Sequence, residues 1–398
     1  MCLGCSTLNP KGLIITLTPT HPLHAMSVVS KGLEGIVAAE TRLGEVKGAE
    51  GVLFYCGYDI NELVKLTYEE VVHLLYYNKL PTQAELDKLT TALCAERDLP
   101  QGVIEFLKSA PKTAKPIDIM RTAVSMLGCY DQKRHDIDVS ENLANAIRLT
   151  SQIGVIAAYF HRARQGLNLP PVRKDLSEAA HFLYLMNGEV PSKDAERTLD
   201  IAYILHAEHG FNASTFTARV VASTLSDMYS AISAAIGALK GPLHGGANEG
   251  VIHMLQEIGS LENVDAWVED ALAQKKKIMG IGHRVYKVLD PRAPHLREMA
   301  IKLTEQLGEA KWIQMSERIA TIMRERKSLN ANVDFYSATV YYSLDIPTDL
   351  FTPIFAIARM SGWTAHVLEQ WSENRLFRPL SEYVGKPYGQ KVVPIEER

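Results

Sequence analysis

Residues 214–239, Ser-Thr-Phe-Thr-Ala-Arg-Val-Val-Ala-Ser-Thr-Leu-Ser-Asp-Met-Tyr-Ser-Ala-Ile-Ser-Ala-Ala-Ile-Gly-Ala-Leu, decide the fold class. Their apolar residues recur at helical spacing, which predicts helix over Ser214–Leu239. The second half, Leu225–Leu239, is rich in small residues (Ser230, Ala231, Ser233, Ala234, Ala235, Gly237, Ala238). Small side chains let helix backbones approach closely, so this half reads either as a buried core helix or as a helix at a subunit contact. The same periodicity predicts helices over Ala84–Glu96, Ile117–Leu127, Asn142–Arg164, Leu176–Met186, Ala195–His206, Val264–Gln274, Leu296–Leu307, Ile313–Glu325 and Thr348–Gln370. Asp59 with Glu62, Thr67 with Glu70 and Asp175 with Glu178 have capping-box spacing, each just ahead of an apolar-periodic stretch. Only Gly35–Gly57 alternates short β-favouring pieces with glycine, as small hairpins do. Strand-rich runs are otherwise missing, which argues against a parallel sheet. The expectation is a mainly α fold with a small N-terminal β element.

The chain has 398 residues, 46% hydrophobic and 22% charged, with a formal charge of −4. That composition fits a globular protein and gives a nucleic-acid binder's basic excess no support. No apolar run approaches the ~18 residues of a membrane span. The five cysteines are an odd, dispersed set, unlike a secreted disulfide framework. A reducing compartment and a cytoplasmic location are expected. Cys2 and Cys5 have C-x-x-C spacing but no second metal-ligating pair nearby. Residues 1–30 read as an N-terminal extension; they contain no Arg, unlike a mitochondrial transit peptide.

Four segments carry candidate chemistry. In Gly241-Pro242-Leu243-His244-Gly245-Gly246-Ala247-Asn248, a histidine sits among glycines just before a helix pattern. A helix N-terminus disfavours imidazolium, and a neutral imidazole held there can donate to a developing oxyanion. Gly280-Ile281-Gly282-His283-Arg284-Val285-Tyr286-Lys287-Val288-Leu289-Asp290-Pro291-Arg292 places four basic groups within ten positions, as an anion site or as a solvated basic loop. In Asn330-Ala331-Asn332-Val333-Asp334-Phe335, Asp334 is a helix cap or a general base tuned by an apolar pocket, with the cap favoured by pattern alone. Arg359 interrupts an apolar helix and needs a carboxylate, from the protein or from a ligand. His206-Ala207-Glu208-His209 has H-x-x-H spacing but lacks the H-E-x-x-H pattern, so a metal is not expected; a metallohydrolase built on His206 and His209 is the weakest reading.

From about Gly35 to the C-terminus the sequence resembles the citrate synthase family. The resemblance is carried by Gly241–Asn248, Gly280–Arg292, Asn332–Thr339 and Arg359–His366 in the family's order. It implies a two-domain helical fold: a large domain over 31–244 and 351–398 that dimerises, and a small domain over 245–350 that binds coenzyme A and closes over the site. It implies catalytic roles for His244, His283 and Asp334, and oxaloacetate binding by His209, Arg292, Arg359 and Arg378. Arg378 would come from the partner subunit of a homodimer. The backbone of Ile278, Met279, Gly280, Ile281 and Gly282, with Lys287, would hold acetyl-CoA, a co-substrate; no permanently bound cofactor or metal is implied. A 2-methylcitrate synthase using propionyl-CoA is the near alternative, since one methylene is worth only ~1–3 kcal/mol in an apolar pocket. A non-catalytic assembly protein on the same fold is the distant one.

Overall fold

The computed structural model describes residues 29–134 and 138–398. The Cys2–Cys5 pair and nearly all of the 1–30 extension lie outside the described residues. Residues 41–377 form one compact unit; the described parts of the terminal segments, 29–40 and 378–398, belong to a second.

The larger unit opens with an antiparallel three-stranded meander, β1 (Gly44–Lys47), β2 (Val52–Tyr55) and β3 (Tyr58–Asp59), in which Gly44 pairs with Tyr55 and Lys47 with Val52. The rest is helical: α1 (Ile60–Leu63), α2 (Tyr68–Tyr77), α3 (Gln83–Ala95), α4 (Gln101–Ser109), α5 (Pro116–Tyr130), α6 (Val139–Gln165), α7 (Glu178–Asn187), α8 (Lys193–His206), α9 (Ala213–Ser223), α10 (Met228–Leu239), α11 (Ala247–Ile258), α12 (Val264–Ala273), α13 (Ala293–Leu307), α14 (Lys311–Lys327), α15 (Val333–Ser343) and α16 (Phe351–Ser372). The fold is mainly α with a small β element near its start, as the periodicity predicts. Among the described residues no helix is long and apolar enough to cross a membrane.

The helix that runs through the core is α16. Every residue from Phe351 to Val367 is buried, and a helix apolar all round has no solvent face to present. It packs against α6, α8, α9 and α10. Arg359 and His366 therefore enter the centre of the protein on a rigid element.

The continuous helix expected over 214–239 is two helices. Leu225 adopts a left-handed conformation at φ +63° and ends α9. Asp227 then restarts the chain as the N-cap of α10, its carboxylate accepting from Ser230 N at 2.9 Å and Ser230 Oγ at 2.8 Å. The apolar period runs unbroken through the break, so the period alone conceals it. The expected box at Thr67 and Glu70 forms in both directions, and a second forms at Thr82 and Glu85. At Asp175 it does not form. Ser177 caps α7 instead, and Asp175 is drawn to the Arg173 guanidinium two residues away. On α10, Met228, Tyr229, Ala231, Ile232, Ala235, Ile236 and Leu239 are buried; Ser233, Ala234, Gly237 and Ala238 form a half-buried stripe beside them.

Candidate active site

Four connections converge on one region. The first is the turn after α8, where His206 ends the helix and His209 follows. The second is the turn 241–246 between α10 and α11, which carries His244. The third is the loop 278–292 between α12 and α13, and the fourth is the start of α15, which carries Asp334. The middle of α16 supplies Arg359.

The loop and the start of α15 are sewn together through the backbone. Gly282 N donates to Asn330 O (2.8 Å), Asn332 N to Gly280 O (2.9 Å) and Asn332 Nδ2 to Gly282 O (2.8 Å). This seam needs glycine. Gly280 sits at φ +74°, and a Cβ there would lie 2.7 Å from Val251 Cγ2 and 2.9 Å from Phe335 Cα. Asp290 adds another stitch, accepting from Val333 N at 3.2 Å.

His283 is fixed in one tautomer. Its Nδ1 accepts from Val285 N (3.0 Å) and Tyr286 N (3.1 Å), so a neutral ring carries its proton on Nε2. Burial, with the nearby Arg292 cation, pushes its pKa down to about 4. His244 is likewise held at about 4, by burial and by Arg359. Its Nε2 lies 2.8 Å from Ser214 Oγ, which also receives the Trp363 Nε1–H at 3.1 Å. Nδ1 is then the nitrogen left for a ligand. His209 is held far below the ordinary imidazole range by burial and the fields of Arg292 and Arg359. Its Nε2 meets the Tyr286 hydroxyl at 3.1 Å, and its ring lies 5.7 Å from that of His283. His206 is also neutral, near 3, with Nδ1 on Ala202 O at 2.8 Å. The H-x-x-H pair is thus spent on the fold and on Tyr286; among the described residues no cluster of three His, Cys, Asp or Glu is placed to hold a metal ion.

Asp334 is not the cap that pattern alone favours. Asn332 caps α15, accepting from Asp334 N at 3.0 Å. Asp334 stands in the first helical turn with Oδ1 buried and without a hydrogen-bond partner. Burial pushes its carboxyl up to about 6 against the lowering fields of Arg292 and Arg359. A carboxylate near that value is ionised at neutral pH yet basic enough to take a proton.

The arginines divide. Arg292 is buried in a bidentate pair with Asp290 (2.9 and 2.8 Å), its guanidinium 5.9 Å from the Tyr286 ring centre. Arg359 is 1% exposed; Nε donates to His206 O at 2.5 Å, while Nη1 is buried and unpartnered. Burial lowers its pKa to about 10. A buried guanidinium with a vacant donor calls for an anion from outside the chain, so the internal-pair reading of Arg359 is set aside. Phe355 lies 4.9 Å from the Arg359 guanidinium, 5.1 Å from the His206 ring and 6.1 Å from that of His244. Ile278 and Ile281 bury their side chains, and Lys287 is exposed with its backbone N on Gly48 O at 2.9 Å. Arg378 belongs to the other unit, where Nη1 donates to Pro379 O at 3.1 Å. Sequence reading left three members of this region unassigned: Tyr286, Asp290, read only as a turn marker, and Phe355.

A carboxylate tuned as a base, neutral imidazoles and a vacant buried guanidinium are the equipment of an enzyme. The family model "Citrate synthase, C-terminal domain" matches residues 32–380. The chain is 50% identical over 371 residues to citrate synthase 2 of Bacillus subtilis, covering 93% of this chain and 99% of that one. It is 42% identical to a 2-methylcitrate synthase of Shewanella oneidensis, covering 94% and 99%. It superposes at TM-score 0.88 and 33% identity on the citrate synthase of Thermoplasma acidophilum, solved as a ternary complex with carboxymethyl coenzyme A and oxaloacetate, covering 93% and 99%. The chain belongs to the citrate synthase family.

Proposed function

We propose that this enzyme condenses acetyl-CoA with oxaloacetate and water to citrate and CoA, with Asp334, His244 and His283 as its catalytic residues. One juxtaposition carries the reading: an unpartnered carboxylate oxygen on Asp334 and an unpartnered guanidinium nitrogen on Arg359, set among uncharged imidazoles. The methyl of acetyl-CoA is a very weak carbon acid. Asp334 removes its proton only if charge is stabilised at the thioester oxygen in the same step. The Ser214 hydroxyl donates to Asn212 Oδ1 at 2.7 Å in the resting site; once its proton turns to His244 Nε2, the neutral ring carries its N–H on Nδ1, and that group donates to the forming enolate. The enol carbon then bonds to the keto carbon of oxaloacetate. His283 Nε2–H donates to the keto oxygen as it gains charge. Water cleaves the citryl thioester, and CoA leaves as the thiol.

Arg359 and Arg292 hold the two carboxylates of oxaloacetate, with His209 beside them and Arg378 reaching in from the partner subunit of a homodimer. The half-buried small-residue stripe of α10 suits such a dimer. The backbone of 278–282, with Lys287, holds coenzyme A. Residues 245–350 close over the large domain and exclude water from the enolate. The enzyme works in the cytoplasm, in the tricarboxylic acid cycle.

Relatives of both specificities stand within ten points of identity. The test is thiol release with oxaloacetate and either acetyl-CoA or propionyl-CoA. Acetyl-CoA is expected to give the higher kcat/KM. A tenfold preference for propionyl-CoA would assign the 2-methylcitrate reaction, and no thiol release from either would overturn the enzyme reading.

A further inference from the structure

Arg359 poses a problem that its own contacts do not solve. A buried guanidinium needs a counter-charge, yet a carboxylate that paired with it would occupy the donors a substrate requires. Glu208 lies beside it. The residue is fully buried, in the turn between His206, whose carbonyl takes the Arg359 Nε–H, and His209. On α16, Arg359, Gly362 and His366 are spaced i, i+3 and i+7 and so share a face. That face is pressed against the 206–210 turn: a Cβ on Gly362 would meet Ala207 O at 2.1 Å and Glu208 Oε2 at 3.0 Å. Gly44, from the hairpin, closes the other side, where a Cβ would lie 2.9 Å from Glu208 Oε1.

Both oxygens of Glu208 are taken. Oε1 accepts the Gly210 N–H, and Oε2 meets His366 Nε2 at 3.0 Å. The direction of the second bond is set from behind. Arg219 Nη1 stands 3.1 Å from His366 Nδ1, and a guanidinium only donates, so the ring proton of His366 is on Nε2 and points to Glu208. Arg219 is itself anchored to Glu369 at 2.6 Å. Among the described residues no carboxylate lies within ion-pair distance of Arg359.

We propose that Glu208 is a tethered counter-ion: His366 and the Gly210 N–H hold its carboxylate close enough to offset the charge of Arg359 and too firmly placed to pair with it, which keeps Arg359 vacant for a substrate carboxylate. His366 is thereby a positioning residue that acts through Glu208. The proposal rests on the assignment of Arg359 to oxaloacetate.

The tether makes a prediction of sign that a structural role does not. H366L removes the donor and frees Glu208 to swing onto Arg359. The KM for oxaloacetate should rise at least tenfold, with the KM for acetyl-CoA within twofold. H366Q, which keeps an N–H donor, should restore oxaloacetate KM to within threefold of the parent. In E208Q/H366L the competing charge is gone, so the KM for oxaloacetate should fall back below that of H366L. If H366L does not fold, H366N, whose amide is too short to reach Glu208, takes its place in the same comparison. A double variant with a KM equal to or above the single, or a single with unchanged KM, overturns the tether. R359A separates the two claims: if it leaves oxaloacetate KM unchanged, the assignment of Arg359 fails; if it raises KM while the His366 variants do nothing, the tether alone fails.

Discussion

Asp334→Asn should abolish turnover and make the protein more stable. The substitution keeps the side chain's volume and removes its charge. Burial pushes the Asp334 carboxyl from 3.8 up to about 6 in the folded protein, while in the unfolded chain it titrates at the ordinary value. Between these values the folded state binds more protons than the unfolded, so stability falls as pH rises through that window and the full penalty stands above it. A rise from 3.8 to about 6, at 1.36 kcal/mol per pH unit, gives about 3 kcal/mol. The asparagine amide still leaves a polar atom in the place of the unpartnered Oδ1, which offsets about 1 kcal/mol. The variant should therefore gain about 2 kcal/mol at pH 8. Urea unfolding of both proteins without ligands at pH 8 and at pH 4.5 reads this directly. The advantage should be plain at pH 8 and nearly gone at pH 4.5, where the parent carboxyl is itself protonated on folding. Meanwhile kcat should drop by at least ~10²–10⁴-fold, the usual worth of a positioned general base. A variant less stable than the parent at pH 8, or stabilised equally at both pH values, would refute the claim that Asp334 is held as a strained, partly desolvated base.

The acid limb of kcat/KM should follow Asp334, with one proton taken up near pH 6 and no further ionisation from His244 or His283 above pH 5, since both are held near 4; a limb near pH 7 in the pH–rate profile would show that a histidine titrates instead. Leu225→Gly should stabilise the protein by about 0.5–1 kcal/mol in thermal or urea unfolding, because φ +63° suits glycine and the leucine side chain is half exposed. Gly362→Ala should raise the KM for oxaloacetate more than tenfold and lower the Tm, since its methyl would stand 2.1 Å from Ala207 O and push the His209 turn off α16; an unchanged KM would mean that the turn yields without moving His209.

Local chemistry was the legible part of this chain. Apolar periodicity marks the helices, and glycines around His244 and His283 mark backbone that must turn sharply or be approached closely. What escapes the sequence is whatever depends on a partner from elsewhere. Leu225 sits in an uninterrupted apolar pattern, and only its backbone angle reveals the break. The pattern around Asp334 suits a cap as well as a base; the decision comes from Asn332 taking the cap and from packing that leaves Oδ1 unpartnered. Arg359 is visible as an anomaly, but whether a carboxylate within the chain answers it is a matter of tertiary placement. Glu208 and His366 are 158 residues apart, and nothing in either neighbourhood announces the other. Asp290 reads as a turn residue and proves to be a clamp on both Arg292 and the start of α15.

The backbone seam joining 280–282 to 330–332 has one more implication. It binds the loop of His283 and the helix of Asp334 into a single block, whereas His244 hangs from a separate turn. If Asp334, His283 and His244 act as proposed, whatever displaces that block carries the proton acceptor and the keto-group donor together and leaves the enolate's donor behind. Under the proposed roles, deprotonation and carbon–carbon bond formation are therefore licensed by the same mechanical event.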